Sequence, residues 1–336
     1  MLSPIRLFKT FKDYKKHRSK VEEPPLRLWV ESSARCNLKC VMCPNKALDP
    51  SQKSVMDLDL FKKIVDEAKE FVNDIYLHHR GEPLTNPQLA SMIQYARTAG
   101  IGTRFHTNGC LMDESWAESL LDARPDLISF SVDGFDKETY EEIRVGGNFE
   151  TTIENIIRLA KMRKDRHQKH PYLVVEKIRF KNPGKKENPE KVEELRSRFL
   201  DAGVDEVIEK DEYTWAEEDA PEPETPRQFA VCTFPWYGMV ILANGTVTAC
   251  PQDFAGKMQM GDVTASSIRD IWNGPAYRDL RNRFDSDLDS LQLCRKCDRL
   301  HRKTVGGIPF QYMATFLIDH VVGYNRLRKL LGTSER

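Results

Sequence analysis

Three cysteines, Cys36, Cys40 and Cys43, lie in one short run with C-x3-C-x2-C spacing, and the next cysteine, Cys110, is far downstream. This triplet constrains the chain because a cubane of four irons and four sulfides takes four ligands. Three thiolates leave one iron with an open position. Open metal positions are where small molecules bind and react, whereas closed ones are usually structural. The chain has 8 cysteines, which could also pair as disulfides. The N-terminus, Met1-Leu2-Ser3-Pro4-Ile5-Arg6, lacks the apolar run of a secretory signal. A cytoplasmic, reducing compartment is therefore expected, where close cysteines are more often metal ligands.

The triplet follows an apparent strand at residues 26–33, in which Leu26, Leu28 and Val30 alternate with polar positions. Further strands read at 75–79, 103–107, 127–132, 173–180 and 205–208, and helices at 58–71, 87–99, 113–121, 149–163 and 189–201. Such alternation predicts an α/β fold with a parallel sheet and helices outside it. Six strands are too few for a closed eight-stranded barrel, so a partial (β/α)6, TIM-like barrel is expected. Ligands in such sheets bind at the carboxyl ends of strands, and the triplet sits at one of those ends.

Other motifs occupy the next strand ends. Arg80-Gly81-Glu82-Pro83 follows the second strand, Thr107-Asn108-Gly109 ends the third, and Ser131-Val132-Asp133-Gly134 ends the fourth. Each is weak alone. In this order behind Cys36, Cys40 and Cys43, they resemble the signature of the radical S-adenosylmethionine (SAM) superfamily. The resemblance implies that the three thiolates hold a [4Fe-4S] cluster whose open iron binds the methionine part of SAM. It also implies that Gly81, Glu82 and Pro83 meet the SAM ammonium, with Asn108 at the neighbouring strand end. Ser131 and Asp133 would meet the ribose. Arg80 stands where the family has a glycine, putting a cation near the SAM carboxylate. Met42 stands where an aromatic residue often packs on adenine.

Four more thiols come later: Cys232, Cys250, Cys294 and Cys297. Cys232-x12-Gly245-x4-Cys250 with a later C-x2-C is similar to the SPASM/twitch extension, in its shortened, twitch-like form. This implies a small C-terminal iron–sulfur domain with a second, auxiliary [4Fe-4S] cluster. Four thiolates also suit structural zinc, which spacing alone leaves open. The expected domains are a basic amphipathic segment (1–25), a radical SAM core (26–211), an acidic, proline-rich linker (212–228), the auxiliary cluster domain (229–303) and a C-terminal amphipathic extension (304–336).

A fully ligated auxiliary cluster points to electron transfer or structural support. The spacing resembles that of the twitch-bearing dehydrogenase of aminoglycoside biosynthesis, which implies a two-electron oxidation (dehydrogenation) of a small hydroxylated metabolite. Such a reaction needs a base. Asp253, close to Cys250, is one candidate, and His78, His79, His106 and Arg179 are others. Alternatives are a peptide- or protein-modifying maturase, a radical epimerase with Cys110 as hydrogen donor, and a non-catalytic scaffold. Expected partners are a small-molecule or peptide substrate and an electron donor such as flavodoxin or ferredoxin. Lys+Arg and Asp+Glu both number 51, so no nucleic acid is expected. The basic N-terminus and the stretch at 308–331 read first as packing elements, with weak peripheral membrane association as the sharper reading.

Overall fold

A computed structural model describes residues 4–180, 187–212, 232–301, 304–305 and 308–309. Most of the expected acidic linker and of the C-terminal extension lies outside these residues. The chain divides into two compact units, one built from 30–62 and 74–212, the other from the described parts of 1–29, 63–73 and 213–333.

The elements run α1 (Pro4–Lys15), β1 (Arg27–Val30), α2 (Leu58–Ala68), β2 (Asp74–Tyr76), α3 (Leu89–Thr98), β3 (Gly102–Thr107), α4 (Glu114–Ala123) and β4 (Leu127–Ser131). They continue with α5 (Lys137–Ile143), α6 (Phe149–Asp165), β5 (Tyr172–Arg179), α7 (Pro189–Ala202) and β6 (Glu206–Asp211). In the first unit the strands are parallel and ordered β6-β5-β4-β3-β2. Successive strands are joined through helices, as parallel pairing demands. The barrel is not closed: β6 is an edge. Phe105, Ile128 and Phe130 are fully buried, as are Ile156 and Leu159 of α6. Each such side chain contributes about 1.5–3 kcal/mol.

Helix starts are chemically marked. Asp113, Asn148 and Asn188 accept N–H bonds from Trp116, Thr151 and Glu190, satisfying donors that a helix start leaves open. The spacing predicts a strand over 26–33, but β1 ends at Val30. Beyond it Ser33 makes only an isolated bridge to Val55, and the chain turns into the cysteine loop. α5 has no counterpart in the sequence reading. It is 7 residues long and acidic, with Tyr140 as its buried residue, so it carries little apolar periodicity. Its marker is Asp136, which caps Thr139 N–H.

The second unit holds α8 (Phe234–Tyr237), β7 (Gly238–Ile241), β8 (Thr246–Thr248), β9 (Gln259–Asp262), α9 (Ile268–Trp272), α10 (Pro275–Ser286) and α11 (Gln292–Arg295). β7, β8 and β9 pair antiparallel. The N-terminal segment is packed into this unit: Leu7 and Leu26 share a core with Phe234, Tyr237, Val240 and Leu242. Trp236 Nε1 donates to Arg18 O and Trp272 Nε1 to Glu23 O, both at 3.0 Å.

Candidate functional site

Cys36, Cys40 and Cys43 share the loop beyond β1. Backbone pairing fixes its shape: Lys39 N–H donates to Val145 O (2.9 Å), Val41 N–H to Ile143 O (3.0 Å) and Cys43 N–H to Cys40 O (3.2 Å). Leu38 N–H points at Cys36 Sγ (3.4 Å) and Arg144 Nη1 at Cys40 Sγ (3.7 Å). Burial pushes all three thiols up, Cys36 to about 12, while Arg144 pulls Cys40 the other way. Such sulfurs ionise when a metal draws on them. Three neighbouring thiols on a prebuilt loop therefore fit an iron–sulfur cluster.

The end of β2 is pressed against this loop. A Cβ on Gly81 would lie 2.4 Å from Arg35 O and 2.5 Å from Ser33 O, so the contact excludes any side chain. Glu82 N–H donates to Arg35 O at 2.7 Å. The Glu82 carboxylate is buried and accepts from Leu84 N–H (3.0 Å), Thr107 Oγ1 (2.7 Å) and Asn108 N–H (2.7 Å). A carboxylate has about four acceptor sites, so one remains for a further donor. Pro83 opens the short turn behind it. Asn108 Nδ2 bonds Asn37 Oδ1 (2.9 Å) and reaches toward Cys36 Sγ (4.0 Å). Met42 is half-buried on the cysteine loop.

Several groups here were not legible in the sequence. Asn45 Nδ2 donates to both Ala34 O and Arg80 O at 2.8 Å, tying the cysteine loop to the end of β2. Arg80 is not a free cation. Its Nε and Nη2 fork onto Glu31 at 2.7 and 2.8 Å, and both side chains are almost fully buried. The expectation that it serves the SAM carboxylate is corrected: Glu31 already neutralises it. Asp133 differs too. Its carboxylate pairs with Arg144 and accepts Ile178 N–H (3.0 Å) while buried. It holds the arginine that faces Cys40 instead of presenting its oxygens to a ribose. Ser131 ends β4 half-buried, in register with Glu176.

A polar array crosses the strand ends nearby. His106 Nδ1 lies 3.6 Å from Glu176 Oε2, and Lys210 Nζ donates to the same oxygen at 2.7 Å. The His78 and His106 rings are 4.3 Å apart, and His78 Nδ1 accepts His106 N–H (3.2 Å). Burial pulls both imidazoles down, so both are neutral near pH 7. Burial would raise Glu176, but Lys210 and His106, which is protonated in the acid range where this carboxyl titrates, with bonds from Lys210 and Ser129, outweigh it and hold the carboxyl at about 2. Glu176 and Lys210 had no local motif to reveal them. Arg179 is an exposed partner of Asp211. Cys110 lies against Thr152 Oγ1 (3.3 Å) and Tyr140 Oη (3.5 Å).

In the other unit, Cys232, Cys250, Cys294 and Cys297 line one cavity together with Phe234, Pro235, Leu280 and Phe284. None of the 8 cysteines is in a disulfide. The four thiols border a shared space, which fits an iron–sulfur cluster. Burial pushes Cys250 and Cys294 up, reinforced by the neighbouring thiols. Asp253 is not placed to act as a base. It is fully buried, and its carboxylate accepts from Lys257 N–H and Met258 N–H, both at 2.8 Å, and from Thr248 Oγ1. It knots the turn that follows Cys250.

Comparisons with known proteins find similar sequences and folds. The family model for the radical SAM superfamily matches residues 30–199, half of the chain, and that for the SPASM iron–sulfur cluster-binding domain matches 232–298. The tungsten-containing aldehyde ferredoxin oxidoreductase cofactor-modifying protein of Pyrococcus furiosus is 31% identical over 185 residues, which cover 54% of this chain and 50% of that protein. The AdoMet-dependent heme synthase of Methanosarcina barkeri is 33% identical over 139 residues, 41% of this chain and 40% of that one. The chain thus spans about half the length, or less, of the curated relatives it matches. Streptococcus suis SuiB bound to precursor peptide SuiA has a similar fold, with TM-score 0.60 and 16% identity over 87% of this chain and 74% of that one.

Proposed function

This chain belongs to the radical SAM superfamily, and on that premise we propose that it oxidises a hydroxyl group of a small metabolite by two electrons. It is a radical SAM enzyme with a SPASM domain, using SAM, a [4Fe-4S] cluster and auxiliary iron–sulfur chemistry. Cys36, Cys40 and Cys43 hold the first cluster, and Cys232, Cys250, Cys294 and Cys297 hold the auxiliary [4Fe-4S] cluster. When bound, these groups supply a hydrogen-abstracting 5′-deoxyadenosyl radical and an acceptor for one electron.

The observation that carries the reading is the shared cavity of four thiols. With four protein ligands every iron is held, so the auxiliary cluster serves electrons rather than substrate. Glu82 offers its remaining acceptor site to the SAM ammonium through a charge-assisted bond. Gly81, Pro83, Asn108, Met42 and Ser131 complete the SAM surroundings, and Asp133 acts through Arg144. His106 accepts the hydroxyl proton. It is neutral, and Glu176, 3.6 Å from Nδ1, stabilises the imidazolium that forms. The carbinol thus loses one hydrogen atom, one proton and one electron, and becomes a carbonyl.

The test is an anaerobic incubation of reconstituted protein with SAM, dithionite and a panel of polyols and aminocyclitols deuterated at their carbinol carbons. Deuterium in 5′-deoxyadenosine, with a product lighter by one deuterium and one hydrogen, supports the proposal. Deuterium transfer with a product that has regained a hydrogen at that carbon overturns it in favour of epimerisation. Turnover of a peptide alone overturns the substrate class.

A further inference from the structure

Helix α1 has two apolar faces, and among the described residues one is packed inside the molecule and the other is exposed. Leu7 and Tyr14 are buried, and Tyr14 packs edge-on against Trp236 with ring centroids 5.7 Å apart. Arg6 fastens the same side, bonding Glu23 Oε2 (2.7 Å) and Phe71 O (2.8 Å). On the opposite side Ile5 and Phe8 are 68% and 67% exposed. With half-covered Phe11, they are three of the six exposed large hydrophobics among the described residues.

These side chains stand among exposed cations. Ile5, Phe8 and Lys12 share one helical stripe by their spacing, with exposed Lys9, Lys15 and Lys16 around it. Lys16 N–H continues the helical bonding to Lys12 O at 3.1 Å. Glu22 and Glu23 partly offset Lys9, at 3.9 and 3.3 Å. The outward face is thus apolar at its centre, basic around it, and already folded.

We propose that this face of α1 docks reversibly on an anionic bilayer surface, with Ile5 and Phe8 entering the headgroup region and the lysines meeting lipid anions. Charge complementarity selects the occupant. Helices that lie in the interface combine a basic polar face with inserted aromatic and aliphatic side chains, and juxtamembrane lysines add attraction to anionic lipid. A stable protein partner needs a contact of about 1,200–2,000 Å², far more than two side chains provide. No described helix is long and apolar enough to cross a membrane, so the contact is peripheral.

The experiment is cosedimentation of the cofactor-loaded full chain with phosphatidylcholine vesicles, and with vesicles in which about a third of the lipid is phosphatidylglycerol. The anionic vesicles are expected to retain at least about five-fold more protein, with the excess lost in high salt. I5S/F8S and K12Q/K15Q/K16Q are each expected to lose most of that excess while keeping wild-type iron content and melting temperature. Equal retention on both lipids, or undiminished binding by I5S/F8S, overturns the proposal. Concentration-dependent dimerisation without lipid, abolished by I5S/F8S, also overturns it by assigning the face to a second copy.

Discussion

The two cysteine sites solve different problems. Around Cys36, Cys40 and Cys43 the neighbours are polar: Arg144 beside Cys40, Asn108 near Cys36, and the buried Glu31–Arg80 pair beneath the end of β2. Around Cys232, Cys250, Cys294 and Cys297 they are mostly apolar, with Phe234, Pro235, Leu280 and Phe284 on the walls. A cluster that keeps one iron open for a charged cosubstrate needs charges and donors set in advance. A fully ligated cluster needs burial and correctly placed sulfurs. The first site draws its thiols from one short loop that its polar network holds in place. The second gathers its thiols from separate segments, and Asp253 bonds the turn that follows Cys250.

If that contrast holds, the two sites fail independently. The largest effect is expected for Glu31→Gln, which leaves the Arg80 guanidinium buried without its counter-ion. Removing one partner of a buried pair costs about 3–5 kcal/mol. Urea denaturation should show that loss, and reconstituted iron should fall from about eight to about four per chain, with SAM cleavage abolished. Next is Asp253→Ala, which strands three donors at a cost of about 2–3 kcal/mol. Here the auxiliary iron should go, while SAM binding measured by equilibrium dialysis stays at the wild-type level. If either variant emptied both sites, the comparison would be broken.

Gly81→Ala sharpens the comparison within the first site. Its Cβ would meet the backbone of the cysteine loop, and overpacking of that kind costs about 1–3 kcal/mol. SAM affinity should fall at least about ten-fold, with auxiliary iron unchanged. The smallest effect concerns Glu176. A carboxyl held at about 2 against an ordinary 4.5 contributes stability above pH 4.5 and loses it as pH falls toward 2; at pH 7, with His106 neutral, the Lys210 pair carries that stability. Glu176→Gln should therefore be less stable than wild type at pH 7, by about 1–2 kcal/mol. That gap should close as urea melts are repeated at falling pH, and a gap that persists at pH 2 would refute the assignment.

Much of the first site was legible because its parts are local. Three cysteines, the Gly81-Glu82-Pro83 turn and Asn108 announce themselves in short motifs, and the period of the strands places them at one end of a sheet. The pairs that tune the site are not local. Glu31 meets Arg80 across 49 positions, and Glu176 meets Lys210 across 34. No spacing rule links such residues before the sheet register is known. Asp253 shows the converse. Beside Cys250 it looked like a reactive acid, and only the hairpin of β8 and β9 reveals that it is fully buried and bonded to Thr248, Lys257 and Met258. The short α5 was obscured for a simpler reason: it carries too little apolar periodicity to stand out.

Asn45 has a consequence for how the enzyme is serviced. One amide grips Ala34 O and Arg80 O together, so the mouth of the first site is clasped by the protein itself. Losing iron to oxygen then need not unravel the loop. Repair becomes a matter of reloading a vessel that has kept its shape, and damage to the metal is separated from damage to the chain.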